Sequence, residues 1–194
     1  MNEEWVYDKS KLPCLNYRIA FRNIARSTDT RTIITSLIPQ NTILTNAAPY
    51  FLWPRGDNKD RAYLLGVMSS IPFDWYARRF VESNVNYHLI NAFPVPRPGY
   101  ENDIRKRIVE ISGRLSAVDE RFKEWAEALG VDYGSMDKET KKEYIYEVDA
   151  LVTHLYNLDK QNLKVMFKTF HQGWNYKPRL KRVLDYYKKW EDKI

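Results

Sequence analysis

The chain has 194 residues, 44% of them hydrophobic and 14% aromatic, a composition typical of a folded protein with a substantial core. Its 31 lysines and arginines exceed its 25 acidic residues, and the formal net charge of +6 permits a polyanionic partner. The single cysteine cannot form an internal disulfide, no apolar run approaches the roughly 20 residues that span a bilayer, and the polar start does not resemble a signal peptide. We therefore expect a soluble, cytoplasmic protein without a membrane partner.

The amino-terminal segments are predicted to be mostly extended. Residues 1–16 form an irregular segment, which is typical of the edge of a piece excised from a longer protein. Residues 17–22 alternate arginines with apolar side chains, which predicts one basic face if the segment is a strand. The spacing of those arginines by four would also align them on a helix, so the type of element stays open. Strands are predicted over 32–38, 42–45 and 50–53.

Two short helices are predicted next, before an extended exit. Asp57 or Asp60 can cap the first helix by accepting backbone N–H bonds. Pro72 lies where a second helix can begin, since its missing donor costs little in a first turn. That helix carries Arg78 and Arg79. Prolines at 94, 96 and 98 then favour an extended strap.

Beyond the strap the pattern is helical. Apolar residues spaced by four and three over 104–129 predict one long helix, which Gly130 and Gly134 end. A second helix, capped near Ser135 or Asp137, is expected to pack antiparallel to it.

A third helix beginning at Asp159 and a basic last helix over 179–190 complete the pattern. The predicted fold class is α+β, with a small mixed sheet and two packed helices in residues 1–98. Residues 99–194 are predicted to form an all-helical extension, an antiparallel helical hairpin plus two further helices.

The order of motifs resembles a known family. Residues 60–98, DRAYLLGVMSSIPFDWYARRFVESNVNYHLINAFPVPRP, contain LLG, two small residues, FDWY, a basic helix and INAFPVP. Residues 17–39, YRIAFRNIARSTDTRTIITSLIP, place an arginine-rich segment before one rich in Thr and Ile. This arrangement resembles the carboxy-terminal target recognition domain of type II restriction-modification adenine-specific DNA methyltransferases, and it is similar to recognition domains of type I specificity subunits. With LVTHLYNLD at 151–159, the resemblance covers most of the chain.

The resemblance implies double-stranded DNA as a partner, together with a methyltransferase catalytic domain in cis or in trans. That domain would bind S-adenosylmethionine; whether the parent type II restriction enzyme also cleaves DNA stays open. No cofactor and no catalytic residue are expected in this chain, whose seven glycines form no G-x-G. The residues expected to contact DNA are Arg18, Arg22, Asn23, Arg26, Arg31, Arg78, Arg79, Tyr87 and His88.

The chemistry of these side chains suits DNA, although an ordinary structural role is also open. Guanidinium groups match phosphate oxygens and guanine, and an Asn amide can pair with adenine. The same arginines could instead be a solvated face or form ion pairs with Asp29 and Asp8. Arg78 and Arg79 are adjacent, so on a helix they point about 100° apart and only one is expected at the site. Lys106 and Arg114 are expected to reach phosphates at most.

Other chemistries are weakly supported. Glu139-Thr-Lys141 and Glu191-Asp-Lys193 match only half of a metal-dependent nuclease motif, and the three histidines are isolated from one another, so no metal site is expected. His154 is predicted to lie in the core or between helices. Asn46-Ala-Ala-Pro-Tyr50 departs from the Asn-Pro-Pro-Tyr loop of adenine methyltransferases and is interpreted as a turn before a strand.

A helical protein-interaction module or subunit interface with an incidental basic patch is the competing hypothesis. The spaced apolar residues of the helices could pack on another subunit, although the neighbouring helix satisfies the same requirement.

Overall fold

A computed structural model of the chain describes residues 8, 12–26, 29–52, 55–170, 173–191 and 193. Most of the predicted irregular segment at the amino terminus, and position 53 of the third predicted strand, lie outside these residues. The fold is α+β with a helical carboxy-terminal part, as predicted. Its described elements are β1 (Arg18–Phe21), β2 (Thr35–Ile38), α1 (Asn58–Met68), α2 (Ile71–Ala77), α3 (Tyr87–Ile90), α4 (Asp103–Ser116), α5 (Lys123–Leu129), α6 (Lys138–Leu155), α7 (Lys160–Phe170) and α8 (Lys177–Glu191).

The sheet is smaller than predicted, and it is antiparallel where a mixed sheet was expected. β1 and β2 pair with Arg18 opposite Ile38 and Phe21 opposite Thr35. Residues 42–45 form no strand, and Tyr50 contributes one isolated bridge to Ala20. The turn after β2 contains Asn41 in the left-handed region, with φ of 59°. This conformation, which Asn tolerates better than most residues, directs the chain away from the sheet.

The prediction of one basic face on β1 is wrong. All four residues of the strand are buried, and Arg18 itself is only 5% exposed. Its guanidinium donates a hydrogen bond to the Thr42 carbonyl and lies 4.6 Å from the centre of the Tyr50 ring. The loop that leaves the sheet therefore covers the arginine side of β1, which no local pattern could indicate.

α1 begins at one of its two predicted caps, and α2 begins beside the predicted Pro72. Asp57 and Asp60 form a reciprocal capping box at the start of α1, with N···O distances of 3.0 and 3.2 Å. Ser70 caps α2, and Pro72 occupies its first turn. These interactions satisfy N–H groups that have no partner inside a helix, and they orient α2 after a tight break.

The single long helix predicted over 104–129 is wrong. α4 ends at Ser116, and the chain reverses at Ala117, whose carbonyl accepts a bond of 2.8 Å from the Gly134 N–H. A 3₁₀ turn and α5 follow, and the Trp125 indole N–H donates to the Gly113 carbonyl at 3.2 Å. The reversal buries Trp125 against Tyr17, at a ring-centre distance of 5.7 Å. α6 is capped by Asp137, one of the two predicted alternatives.

One hydrophobic core joins the two predicted parts of the chain. Tyr17 and Phe21 belong to the same cluster of buried residues as Trp125, Val148 and Trp190. A smaller cluster forms where α2 packs against the last three helices. No helix in the described ranges is long and apolar enough to cross a membrane.

Candidate nucleic-acid interface

The loop after β1, residues 22–26, lies beside the segment that precedes α3. The Ala25 N–H donates to the Ser83 carbonyl at 3.0 Å, and the Val85 N–H donates to the Asn23 carbonyl at 2.6 Å. Ile24 and Asn84 form a bridge between the two segments. We call residues 22–26 the recognition loop. Its main chain is fixed by these bonds, so its side chains project from a defined position.

Asp29 orients the two arginines of the recognition loop differently. The Arg22 guanidinium lies 2.5 Å from an Asp29 carboxylate oxygen, and the same oxygen accepts the Arg26 backbone N–H at 3.1 Å. That N–H, with the charge of Arg22, lowers the pKa of the Asp29 carboxyl. The Arg22 side chain remains 39% exposed. The Arg26 side chain is exposed, and its guanidinium makes no hydrogen bond or ion pair with the residues described.

Arg31 is an internal side chain that links a loop to the start of α2. Its Nε lies 2.6 Å from a carboxylate oxygen of Asp74, and its Nη2 donates to the Ser69 carbonyl at 2.8 Å. The other Asp74 oxygen accepts the Thr32 and Ile33 N–H groups. Burial raises the pKa of the fully buried Asp74 carboxyl, while Arg31 and the two N–H groups act in the opposite direction.

α2 ends at Ala77, so Arg78 and Arg79 lie in the turn after it and not on the helix as predicted. Their side chains nevertheless have different surroundings. Arg78 points inward, donates to the Thr32 hydroxyl at 2.9 Å and to the Asp29 carbonyl, and lies 4.0 Å from the centre of the Phe170 ring. Burial lowers the pKa of its guanidinium. Arg79 is exposed and lies 4.8 Å from the centre of the Trp75 ring. Arg79 is therefore the member of the pair that a ligand can reach.

Tyr87 and His88 follow the segment that pairs with the recognition loop. The Tyr87 hydroxyl accepts the Tyr50 N–H at 3.0 Å and donates to the Tyr50 carbonyl at 2.7 Å, so it ties α3 to the covering loop. His88 is exposed on α3. Together with Arg18, these contacts show that the predicted DNA-binding residues divide into side chains that position the loops and side chains that face solvent.

The nine residues predicted to contact DNA fall into two groups according to their internal contacts. Contact with DNA stays a prediction for each of them. The side chains committed to internal contacts are Arg18, Arg31, Arg78 and Tyr87. Tyr87 is nevertheless 46% exposed. The remaining five, which solvent reaches at least in part, are Arg22, Asn23, Arg26, Arg79 and His88.

A cavity that sequence reasoning missed adjoins the recognition loop. It has a volume of about 360 Å³ and is lined by the amides of Asn23, Asn46 and Asn86 and by the rings of Tyr50 and Tyr87. The Asn23 Oδ1 atom is buried without a hydrogen-bond donor among the described residues. Residues 46–48 form a turn, as interpreted from the sequence. No sequence signal could have found the cavity, because it depends on pairing between distant loops.

The remaining candidates have ordinary structural partners. Lys106 pairs with Glu101 at 2.8 Å, and Arg114 donates to the carbonyls that follow α5. Glu139 pairs with Lys142, and the described ranges contain no cluster of residues suited to a metal ion. His154 stacks on Tyr187 at 3.9 Å between α6 and α8, as its position in the pattern predicted.

No family model, no curated protein and no solved structure matches this chain. The evidence for a function is therefore the geometry of these residues together with the order of motifs in the sequence.

Proposed function

We propose that this chain is the sequence-specific DNA recognition domain of an adenine-specific methyltransferase from a restriction-modification system. It carries no catalytic role of its own. A separate catalytic domain, in cis or in trans, supplies S-adenosylmethionine chemistry and flips the target adenine out of the duplex. Since its proposed partner is DNA, we place the protein in the cytoplasm.

The recognition loop is the observation that carries this proposal. Main-chain bonds to Ser83, to Val85 and to the Ala47 carbonyl hold it from both sides. A loop that is already ordered loses less conformational entropy on binding, so more of its contact energy appears as affinity. Two half-buried arginines serve the same end, because Arg31 and Arg78 fix the adjoining loops.

The loop presents the side chains that base readout and phosphate contact require. Arg26 is available for a phosphate or a guanine, and Ile24, which is 58% exposed, offers an apolar surface suited to a thymine methyl group. Arg79 supplies a second free cation, and such cations release counterions from DNA and make binding dependent on salt.

Fluorescence anisotropy with a duplex of mixed sequence tests the proposal. We expect binding at low salt that weakens as salt is raised. Combining Arg26→Ala with Arg79→Ala should weaken binding at least about tenfold. It should also lower the magnitude of the slope of log K against log salt by about two, because two phosphate contacts are lost. Arg97→Ala is the matched control, because Arg97 is also exposed but lies on the proline strap. It should bind as the wild type does.

Absence of binding at low salt, or equal binding by the double variant and the control, would contradict the proposal. The competing hypothesis of a protein-interaction module would then gain support. Its structural basis is the exposure of two apolar side chains, Ile43 at 88% and Leu52 at 57%, which offer apolar contacts to another protein. In the proposed function the same side chains would suit the catalytic domain.

A further inference from the structure

A second cavity lies away from the recognition loop, where β2, α1, α4 and α6 meet. Its volume of about 620 Å³ falls within the range of cavities that bind small molecules. The cations that line it are Arg31, Arg121, Lys141 and Arg179. No Asp or Glu lines the cavity within the part of the chain that the structure describes. Such a lining favours an anion.

Buried polar atoms without partners also face this cavity. Ser112, which is 4% exposed, lines it, and its hydroxyl makes no hydrogen bond within the described ranges. The buried Nε of Arg179 likewise has no acceptor there. Buried polar atoms are normally paired, so these two atoms would gain a partner if a ligand with acceptor oxygens entered beside them.

Buried carboxylates fix two of the cations from outside the cavity lining. Asp74 lies 2.6 Å from Arg31, and Asp149 lies 2.7 Å from Arg179. Asp149 is itself held by the Ile71 N–H, at 2.9 Å. The two guanidinium groups are therefore positioned before any ligand arrives. This preorganisation suits a phosphate, because a planar guanidinium can donate two parallel hydrogen bonds to two of its oxygens.

Lys141 is a cation of the cavity with no fixed partner. It is exposed on α6 and forms no ion pair with the residues described. Arg121, in contrast, pairs with Asp119 at 2.7 Å. Lys141 can therefore bind an added anion without giving up an existing ion pair.

An aromatic surface adjoins the cationic lining. Arg31 and Arg179 also line a neighbouring cavity of about 370 Å³, together with Trp174 and Tyr176. The Trp174 side chain is 65% exposed. An exposed indole close to fixed guanidinium groups can stack on a planar ring whose phosphate lies among the cations.

We propose that these two adjoining cavities bind a small phosphorylated ligand of the nucleoside monophosphate class. The phosphate lies against Lys141, Arg179 and the Ser112 hydroxyl, and the base lies on the side of Trp174. None of residues 22–26 lines either cavity, although Arg31 lines both and its carbonyl accepts a hydrogen bond of 3.3 Å from Arg22 of the recognition loop. Binding of the ligand does not require DNA.

Isothermal titration calorimetry with nucleoside 5′-monophosphates, the unphosphorylated nucleosides and inorganic phosphate tests the proposal. The monophosphates should bind at least about tenfold more tightly than the nucleosides, because the charge-assisted hydrogen bonds go to the phosphate. Lys141→Gln should weaken their binding about tenfold. Lys138→Gln is the matched control, since Lys138 is exposed on the same helix but does not line the cavity. Trp174→Ala should weaken monophosphate binding without changing that of inorganic phosphate.

Three outcomes would overturn the proposal: no heat of binding at millimolar monophosphate, equal affinities of the Lys141 and Lys138 variants, or displacement of the monophosphate by duplex DNA. The third would assign the cavity to the DNA surface. The variant that combines Arg26→Ala with Arg79→Ala should bind monophosphates as the wild type does. Failure of DNA binding and failure of ligand binding are therefore distinguishable.

Discussion

Arginines that face loops have different partners from arginines that lie between helices, both in the loop-rich part, residues 12–98, and in the helical part, residues 99–193. Arg114 of the helical part faces the loop after α5 and donates to its carbonyls. In the loop-rich part, Arg31 and Arg78 donate to main-chain carbonyls that no strand or helix satisfies. In the helical part, Arg107 binds Glu147 at 2.8 Å and so joins α4 to α6. Where the chain has little regular structure, arginine side chains therefore supply the hydrogen-bond donors that a helix or strand would otherwise provide, because buried carbonyls require donors.

The largest effect on stability is expected when the two parts are separated. Residues 1–98 expressed alone should fail to fold, because Tyr17 loses Phe122 and Trp125, and Asp60 loses Arg105 at 2.5 Å. Dispersion of amide proton shifts, compared with that of the intact chain, measures the effect. Well-dispersed shifts and cooperative unfolding of the fragment would instead establish two independent domains with a boundary near 98.

The next largest effect is expected at Asp74, which organises the loop-rich part. Asp74→Ala removes the acceptor of two backbone N–H groups and leaves Arg31 without its partner, so it should lower the free energy of unfolding by about 3–5 kcal/mol. Urea denaturation measures this loss. The matched control is Asp185→Ala in the helical part, where the carboxylate forms an exposed ion pair and should contribute less than about 1 kcal/mol. Similar losses of unfolding free energy in the two variants would contradict the organising role of Asp74 in the loop-rich part.

The smallest effect concerns pH and belongs to the helical part. Burial lowers the pKa of His154 below its ordinary value of 6.5, so the folded state binds fewer protons than the unfolded state. Stability is therefore complete above pH 6.5 and falls as the pH drops through the lowered pKa. Urea denaturation across that window should show a decrease for the wild type that His154→Gln abolishes. His88→Gln, at an exposed position, should retain the decrease in stability at low pH. If the His88 variant lost this decrease, a group other than His154 would be its cause.

Local chemistry predicted the starts of helices well. The caps at Asp57 and Asp137 depend on residues within one turn, which the sequence shows directly. Pro72 likewise indicates the first turn of α2. The different surroundings of Arg78 and Arg79 depend on tertiary contacts beyond the end of α2. The break of the long helix at Ala117 was not predicted, although Asp119 caps the 3₁₀ turn that follows and is a local signal of it. The burial of Trp125 on Tyr17 accompanies the break and depends on a distant segment.

By itself, the sequence determined the α+β class, most helix starts, and a set of basic and aromatic side chains suited to nucleic acid. Tertiary structure alone decided which of those side chains remain available. Arg18 is covered by a loop that the sequence presented as a strand, and Arg31 meets a carboxylate on a helix that follows much later in the chain. The physical reason is that exposure and ion pairing depend on distances between segments, and a residue pattern within one segment contains no information about those distances.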